Sequence, residues 1–176
     1  MNLTDLHRRL LADVLAVGGD YPLALTGGYA VQAHGLVSRL SRDLDVATEN
    51  PDPMADIAAT VRTGLEKLGW LVRALETDPL SARLIVTDAD SGEECEVDIL
   101  KEALWRPPVT TEHGLVLSLE DVVSTKVRAL ADRGLARDLI DVKAAAGRWS
   151  LIDLEALGRR HARDTFDLTD LQARLG

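Results

Sequence analysis

The sequence predicts an α+β protein, and three observations carry that assignment. To about residue 117, segments with apolar residues at helical spacing alternate with short strand-like runs. Beyond it, every segment has helical character. Between Leu25 and Val46 the chain runs through a Gly27-Gly28 turn, a short helix, a basic linker and two aspartates, Asp43 and Asp45, separated by one residue. The 176 residues suffice for one domain with a sizeable core. Residues 1–117 and the helical residues 118–176 are therefore expected to form one compact unit.

Thr4 is placed to cap a first helix reaching Val17, with Leu6, Leu10, Leu11, Val14 and Leu15 on one face and Gly18-Gly19 ending it. A strand over 22–26 leads into the glycine turn, a helix over 29–34 and a strand over 44–48. Asn50-Pro51-Asp52-Pro53 is a break, and Pro53 suits the first position of a helix to Leu68, in which the apolar Ile57, Val61, Leu65 and Leu68 recur at helical spacing. Three strands follow, over 70–75, 82–87 and 95–100. Asp88-Ala89-Asp90-Ser91-Gly92 reads as a hairpin turn that pairs the last two antiparallel, with its acids exposed and idle. After the break at Arg106-Pro107-Pro108 comes a short strand over 115–117. Ser118-Leu119-Glu120-Asp121 has the form of a capping box for a helix to Ala131. Gly134 separates this from a helix over 135–146, Ser150 caps another to His161, and Asp167 caps the last.

Composition bounds the function. Hydrophobic residues make up 46% and charged residues 28%, and no apolar run approaches the roughly 20 residues that span a bilayer. The opening residues lack a signal-peptide pattern, so the cytoplasm is the expected compartment and no membrane partner is expected. The single cysteine, Cys95, reads as a buried structural thiol. A net charge of −9 argues against a broad electrostatic grip on nucleic acid but leaves room for a local basic patch. His34, His113 and His161 lie apart without ligand spacing, and Trp70, Trp105 and Trp149 read as core or inter-element anchors.

The chemistry concentrates where strand geometry aims alternate side chains at one face. Asp43 and Asp45 then point together while Leu44 and Val46 turn to the core. Two carboxylates so close repel unless a cation shares them, and an oxygen-only pair suits Mg²⁺ bound with substrate phosphates. Gly27 and Gly28, having no Cβ, let backbone approach a phosphate at the start of the next helix. Alternation in Glu96-Val97-Asp98-Ile99 sets Glu96 and Asp98 on one face. On spacing alone, Asp98 is equally an exposed strand acid. Asp138 and Asp141, with Arg137 able to pair with Asp141, describe a salt-bridged helix surface.

Gly-Gly, a short helix and Asp-x-Asp on a strand resemble the nucleotidyltransferases of the DNA polymerase β-like superfamily. Arg39-Leu40-Ser41-Arg42-Asp43-Leu44-Asp45 and the later Lys126 followed by Arg137-Asp138-Leu-Ile-Asp141 are similar to the two signatures of AbiEii/AbiGii-type toxin nucleotidyltransferases. The resemblance implies a polymerase β-like core over residues 1–117, a mixed sheet with flanking helices, with residues 118–176 as a helical bundle packed on it. It also implies Mg²⁺-dependent transfer from an NTP. Asp43, Asp45 and Asp98 become the metal-binding triad, with Asp98 able to accept the proton of the attacking hydroxyl. Gly27, Gly28, Ser41 and Lys126 become the nucleotide-binding set, and Asp138 joins the site by holding Lys126 or helping activate the acceptor. Larger relatives carry a longer C-terminal helical region than this chain.

Three functions follow from these residues. The first is a toxin acting on RNA, for example a tRNA end, with a cognate antitoxin protein as partner. The second is a small-molecule enzyme resembling aminoglycoside nucleotidyltransferases. The third is a non-catalytic nucleotide-binding relative, against which the intact carboxylates argue. RNA demands a basic rim, for which Arg39, Arg42, Arg128, Arg133 and Arg137 are available, so Arg39→Glu is expected to weaken tRNA binding far more than NTP binding. A cationic acceptor demands carboxylates such as Glu96, Glu102 or Asp141.

Overall fold

A computed structural model describes residues 1–163 and 166–175. The first part comprises α1 (Asp5–Val17), β1 (Ala24–Leu25), α2 (Gly27–Ala33), β2 (Leu44–Thr48), α3 (Met54–Lys67), β3 (Trp70–Asp78), β4 (Ser81–Asp88) and β5 (Glu94–Lys101). Then follow β6 (Val109–Thr111), β7 (Gly114–Val116), α4 (Leu119–Arg133), α5 (Ala136–Ala145), α6 (Leu151–Arg160) and α7 (Leu168–Leu175). The strands form one mixed sheet in the order β3-β4-β5-β2-β1-β7-β6, so the architecture is α+β as the sequence predicts.

Period-two patterning divides the central strands into two faces. Leu44 and Val46 of β2, Val97 and Ile99 of β5, and Ala82, Leu84 and Val86 of β4 are almost completely buried. They join Leu10, Val14, Ile57, Val61 and Leu65 of α1 and α3 in the main core. Each buried Val, Leu or Ile among them stabilises the fold by about 1.5–3 kcal/mol. The residues between them on the strands point to the other face, which is left to polar chemistry. A second apolar cluster, built by Val123, Val127 and Leu130 of α4 with Val142, Leu154 and Leu171, ties the C-terminal helices together. Ser150 forms a full capping box with Asp153, and Ser118 accepts from the Asp121 backbone N–H, each fixing a helix start.

Several expectations are corrected by pairing that short windows do not reveal. β1 is confined to Ala24–Leu25 because Pro22 has no N–H to donate and Thr26 already caps α2, which starts at the glycines themselves. β3 continues to Asp78, since Asp78 still pairs with Ser81 across the hairpin. Its outer half is exposed on both faces and so carries no apolar alternation. β6 pairs with β7 and has no apolar signature. Asp88 is not idle: it is 7% exposed, accepts from the turn's Asp90 N–H and Ser91 hydroxyl, and binds Arg9 at 3.1 Å. Trp105 is not a core anchor; it is 55% exposed beneath the Arg160 guanidinium. Trp70 is buried and donates to Asp13. Cys95 is buried, and burial pushes its thiol up to about 12.

Candidate active site

The parallel pairing of β2 with β5 puts Asp45 directly opposite Asp98. Antiparallel pairing extends this row, setting Arg83 of β4 beside Asp98 and Glu76 of β3 beside Arg83. Asp43 lies just before β2, and the glycine turn lies over it from the β1 side. A cleft of ≈ 260 Å³ contains all of these groups and is closed by Lys126 and neighbouring side chains of α4. Gly27, Gly28, Ser41, Asp43, Asp45, Asp98 and Lys126 all line it.

The glycines are required by space. Gly27 has φ +61, and a Cβ there would fall on the Asp45 carboxylate oxygen. At Gly28 a Cβ would come 2.6 Å from the Ser41 hydroxyl oxygen. Tyr29 secures the same turn by donating to the Ser41 carbonyl at 3.0 Å.

Lys126, almost buried, enters the cleft from α4 with Nζ 3.1 Å from Asp141 and 3.6 Å from Asp138. Both acids are fully buried at their side chains, so the salt-bridged surface suggested by spacing is an interior lattice. Arg39 binds Asp141 through two hydrogen bonds of 3.1 and 2.7 Å, and Arg133 binds Asp138 through two of 2.8 and 3.1 Å. Arg137 reaches Asp43 at 3.3 Å instead of pairing with Asp141. Asp138 therefore sits behind Lys126, outside the cleft wall. Burial alone would raise its carboxyl, yet Arg133 and Lys126 hold it below the usual range.

The donor set suits a hard divalent cation. Burial, reinforced by Asp98 and Asp43 and opposed by Lys126, pushes Asp45 up to about 6. Among the described residues, its carboxylate has no hydrogen-bond or ion-pair partner. A half-buried acid facing like charges is what a metal ion would stabilise. The three carboxylates are nevertheless unequal. Arg83 grips both oxygens of Asp98 at 2.8 and 3.0 Å and touches Glu96 at 3.1 Å. Among the described residues no three His, Cys, Asp or Glu groups are already drawn to metal-holding distance. The residues fit a cation on Asp43 and Asp45, while Asp98 is engaged by Arg83.

Of the predicted rim, Arg39, Arg128, Arg133 and Arg137 line the cleft while Arg42 does not. Arg83 and Arg163 line it as well, unanticipated. Arg83 was legible as the outward member of the Ala82-Arg83-Leu84 alternation; Arg163 carried no local signal. Each predicted lining arginine has a carboxylate partner, the remaining one being Arg128, which binds Glu102 through two bonds of 2.8 and 2.7 Å. His161, buried at the back, donates its Nε2–H to Asp121 at 3.0 Å and lies 3.7 Å from Glu102. Against its burial, His161, Arg128 and Arg163 bring Glu102 down to about 2.

Residues 9–174 match the family described as nucleotidyl transferase AbiEii toxin, type IV toxin–antitoxin system. Two solved structures resemble the fold. JHP933 from Helicobacter pylori is 20% identical, with a TM-score of 0.62 over 89% of this chain and 74% of its own. The nucleotidyltransferase toxin MenT4 from Mycobacterium tuberculosis is 18% identical, with a TM-score of 0.62 over 97% of this chain and 80% of its own. No curated protein matches the sequence.

Proposed function

Since the chain belongs to the AbiEii nucleotidyl transferase toxin family and is thus a nucleotidyltransferase of toxin type, we propose that it uses Mg²⁺ to move a nucleotide from an NTP to an RNA acceptor, tRNA. The family implies an antitoxin partner. No helix among the described residues is long and apolar enough to cross a membrane. The observation that carries the proposal is the register of Asp45 with Asp98 beneath the glycine turn, with Lys126 facing them.

Gly27 and Gly28 admit the triphosphate close to backbone, and Ser41 borders the same wall. Lys126, itself almost buried, supplies positive charge where charge accumulates on the phosphates as the nucleotidyl group is transferred. Asp138 and Asp141 keep that ammonium aimed into the cleft, which makes Asp138 a positioning residue in this scheme. Asp98 accepts the proton of the acceptor hydroxyl. When bound, Mg²⁺ on Asp43 and Asp45 supplies charge neutralisation and orientation of the phosphates. Residues 1–117 act as the transferase core and 118–176 as the helical part that delivers Lys126, in one unit.

What supports an anionic acceptor over a cationic one is a lining less acidic than the chain as a whole, with Glu96 and Glu102 already paired. It holds seven arginines and lysines against six carboxylates, although the chain as a whole carries −9. Glu96 and Glu102, which a cationic acceptor would need, are already bound by Arg83 and by Arg128 with Arg163. Asp141 is buried behind Arg39. Incubation with each labelled NTP, Mg²⁺ and either total tRNA or aminoglycosides tests the assignment. Label is expected on RNA, with binding that weakens steeply as salt rises. Label on an aminoglycoside, with no tRNA binding even at low salt, would replace the RNA assignment.

A further inference from the structure

We infer that Arg83 is a positioning residue that competes with the metal ion for Asp98, so that the third carboxylate becomes a ligand only after the guanidinium lets go. The inference rests on the metal-carboxylate function proposed above and deepens it. Both Asp98 oxygens accept from the Arg83 fork, at 2.8 and 3.0 Å, so a cation binding that carboxylate has to compete with the guanidinium for its charge. A guanidinium matched to a carboxylate in this way makes charge-assisted bonds of fixed geometry. Among the described residues, Asp43 is held by one longer contact, 3.3 Å to Arg137. Asp45 has no such partner among the described residues. The carboxylates thus form a graded series: Asp45 open, Asp43 loosely held, Asp98 latched.

The latch can open at small cost. The Arg83 side chain is 44% exposed, and Glu96 at 3.1 Å already shares it. Glu76, its register partner on β3, offers a further acceptor on the side away from Asp98. A cation reaching Asp43 and Asp45 therefore recruits Asp98 last, when substrate phosphates give Arg83 another partner. A merely structural role, bracing β4 against β5, would make no such link between Arg83 and metal affinity.

Mn²⁺ binding to the full chain, followed by electron paramagnetic resonance, separates these cases without any turnover. Arg83→Gln is expected to bind Mn²⁺ roughly threefold to tenfold tighter than wild type, the scale of a partly exposed forked ion pair. Arg83→Lys keeps the charge but loses the fork, so it should gain part of that affinity, and it serves if Arg83→Gln folds poorly by circular dichroism. In an Asp98→Asn background the Arg83→Gln gain should vanish. Equal binding by wild type and both Arg83 variants overturns the latch while leaving the metal site standing. So does an undiminished gain in the Asp98→Asn background, which would be a general field effect. Absence of Mn²⁺ binding in every variant, or binding untouched by Asp45→Asn, instead overturns the metal site itself.

Discussion

Replacing Arg39 by Met removes the tether between the glycine-turn region and α5, and the structure sets the size of the effect. Arg39 is 25% exposed and binds a fully buried Asp141 side chain through two hydrogen bonds across 102 positions of sequence. Removing one partner of a buried pair costs about 3–5 kcal/mol, chiefly because the remaining charge is stranded. Here Lys126 still lies 3.1 Å from Asp141 and neutralises part of it. The expected loss for Arg39→Met is therefore about 2–3 kcal/mol. At roughly 2–4 °C per kcal/mol for a domain of this size, the melting midpoint should fall by about 4–12 °C. Differential scanning calorimetry of wild type, Arg39→Met, Asp141→Asn and the double variant measures it, and most of the loss should disappear in the Asp141→Asn background. A midpoint unchanged in Arg39→Met, or an equal loss in both backgrounds, would refute the tether. Arg39→Glu is for the same reason a poor probe of RNA binding, because it sets a carboxylate against buried Asp141.

Two pH predictions follow from buried groups. The folded protein keeps Asp45 protonated up to about 6 against an ordinary 3.8, so it binds more protons than the unfolded chain between those values and loses stability as pH rises through them. Asp45→Asn should remove that slope and raise the melting midpoint at neutral pH; a lower midpoint would contradict the burial cost. For His161, burial lowers the imidazole, but the hydrogen bond to Asp121 and the neighbouring Glu102 carboxylate prevail and raise it above 6.5. Its stabilisation is then complete below the ordinary value and lost as pH rises through the raised one. Denaturant melts of wild type should weaken across that alkaline step, whereas His161→Phe should start weaker and show no such step; parallel profiles would rule out the charged pair.

What the sequence makes legible here is local. Gly27-Gly28, Ser41 and the Asp43/Asp45 pair lie within one short stretch, so spacing and strand period suffice to bring them together. The caps at Thr4, Ser118 and Ser150, and the turn before β5, are legible for the same reason, since their hydrogen bonds close within a few residues. Partner choice is less legible. Arg137 looks like the mate of Asp141 because they are one helical turn apart, but Asp141 faces Arg39 in the interior and Arg137 turns outward to Asp43. The Arg83 fork depends on the β4–β5 register, and the Glu102, Arg128 and His161 cluster depends on how α4 and α6 pack. Neither is fixed by any single window. Trp105 misleads because a large aromatic is usually buried, whereas here a surface arginine covers it.

The most direct measurement is the transfer of label from NTP to tRNA by wild type and by Asp43→Asn, each with Mg²⁺ and with excess chelator. Because the proposed chemistry depends on a cation held by carboxylates, transfer should occur only for wild type with Mg²⁺, and Asp43→Asn should be at least about 100-fold slower while still unfolding cooperatively. Turnover unchanged in folded Asp43→Asn, or undiminished by the chelator, would contradict the assignment of this cleft as a metal-dependent nucleotidyl transfer site.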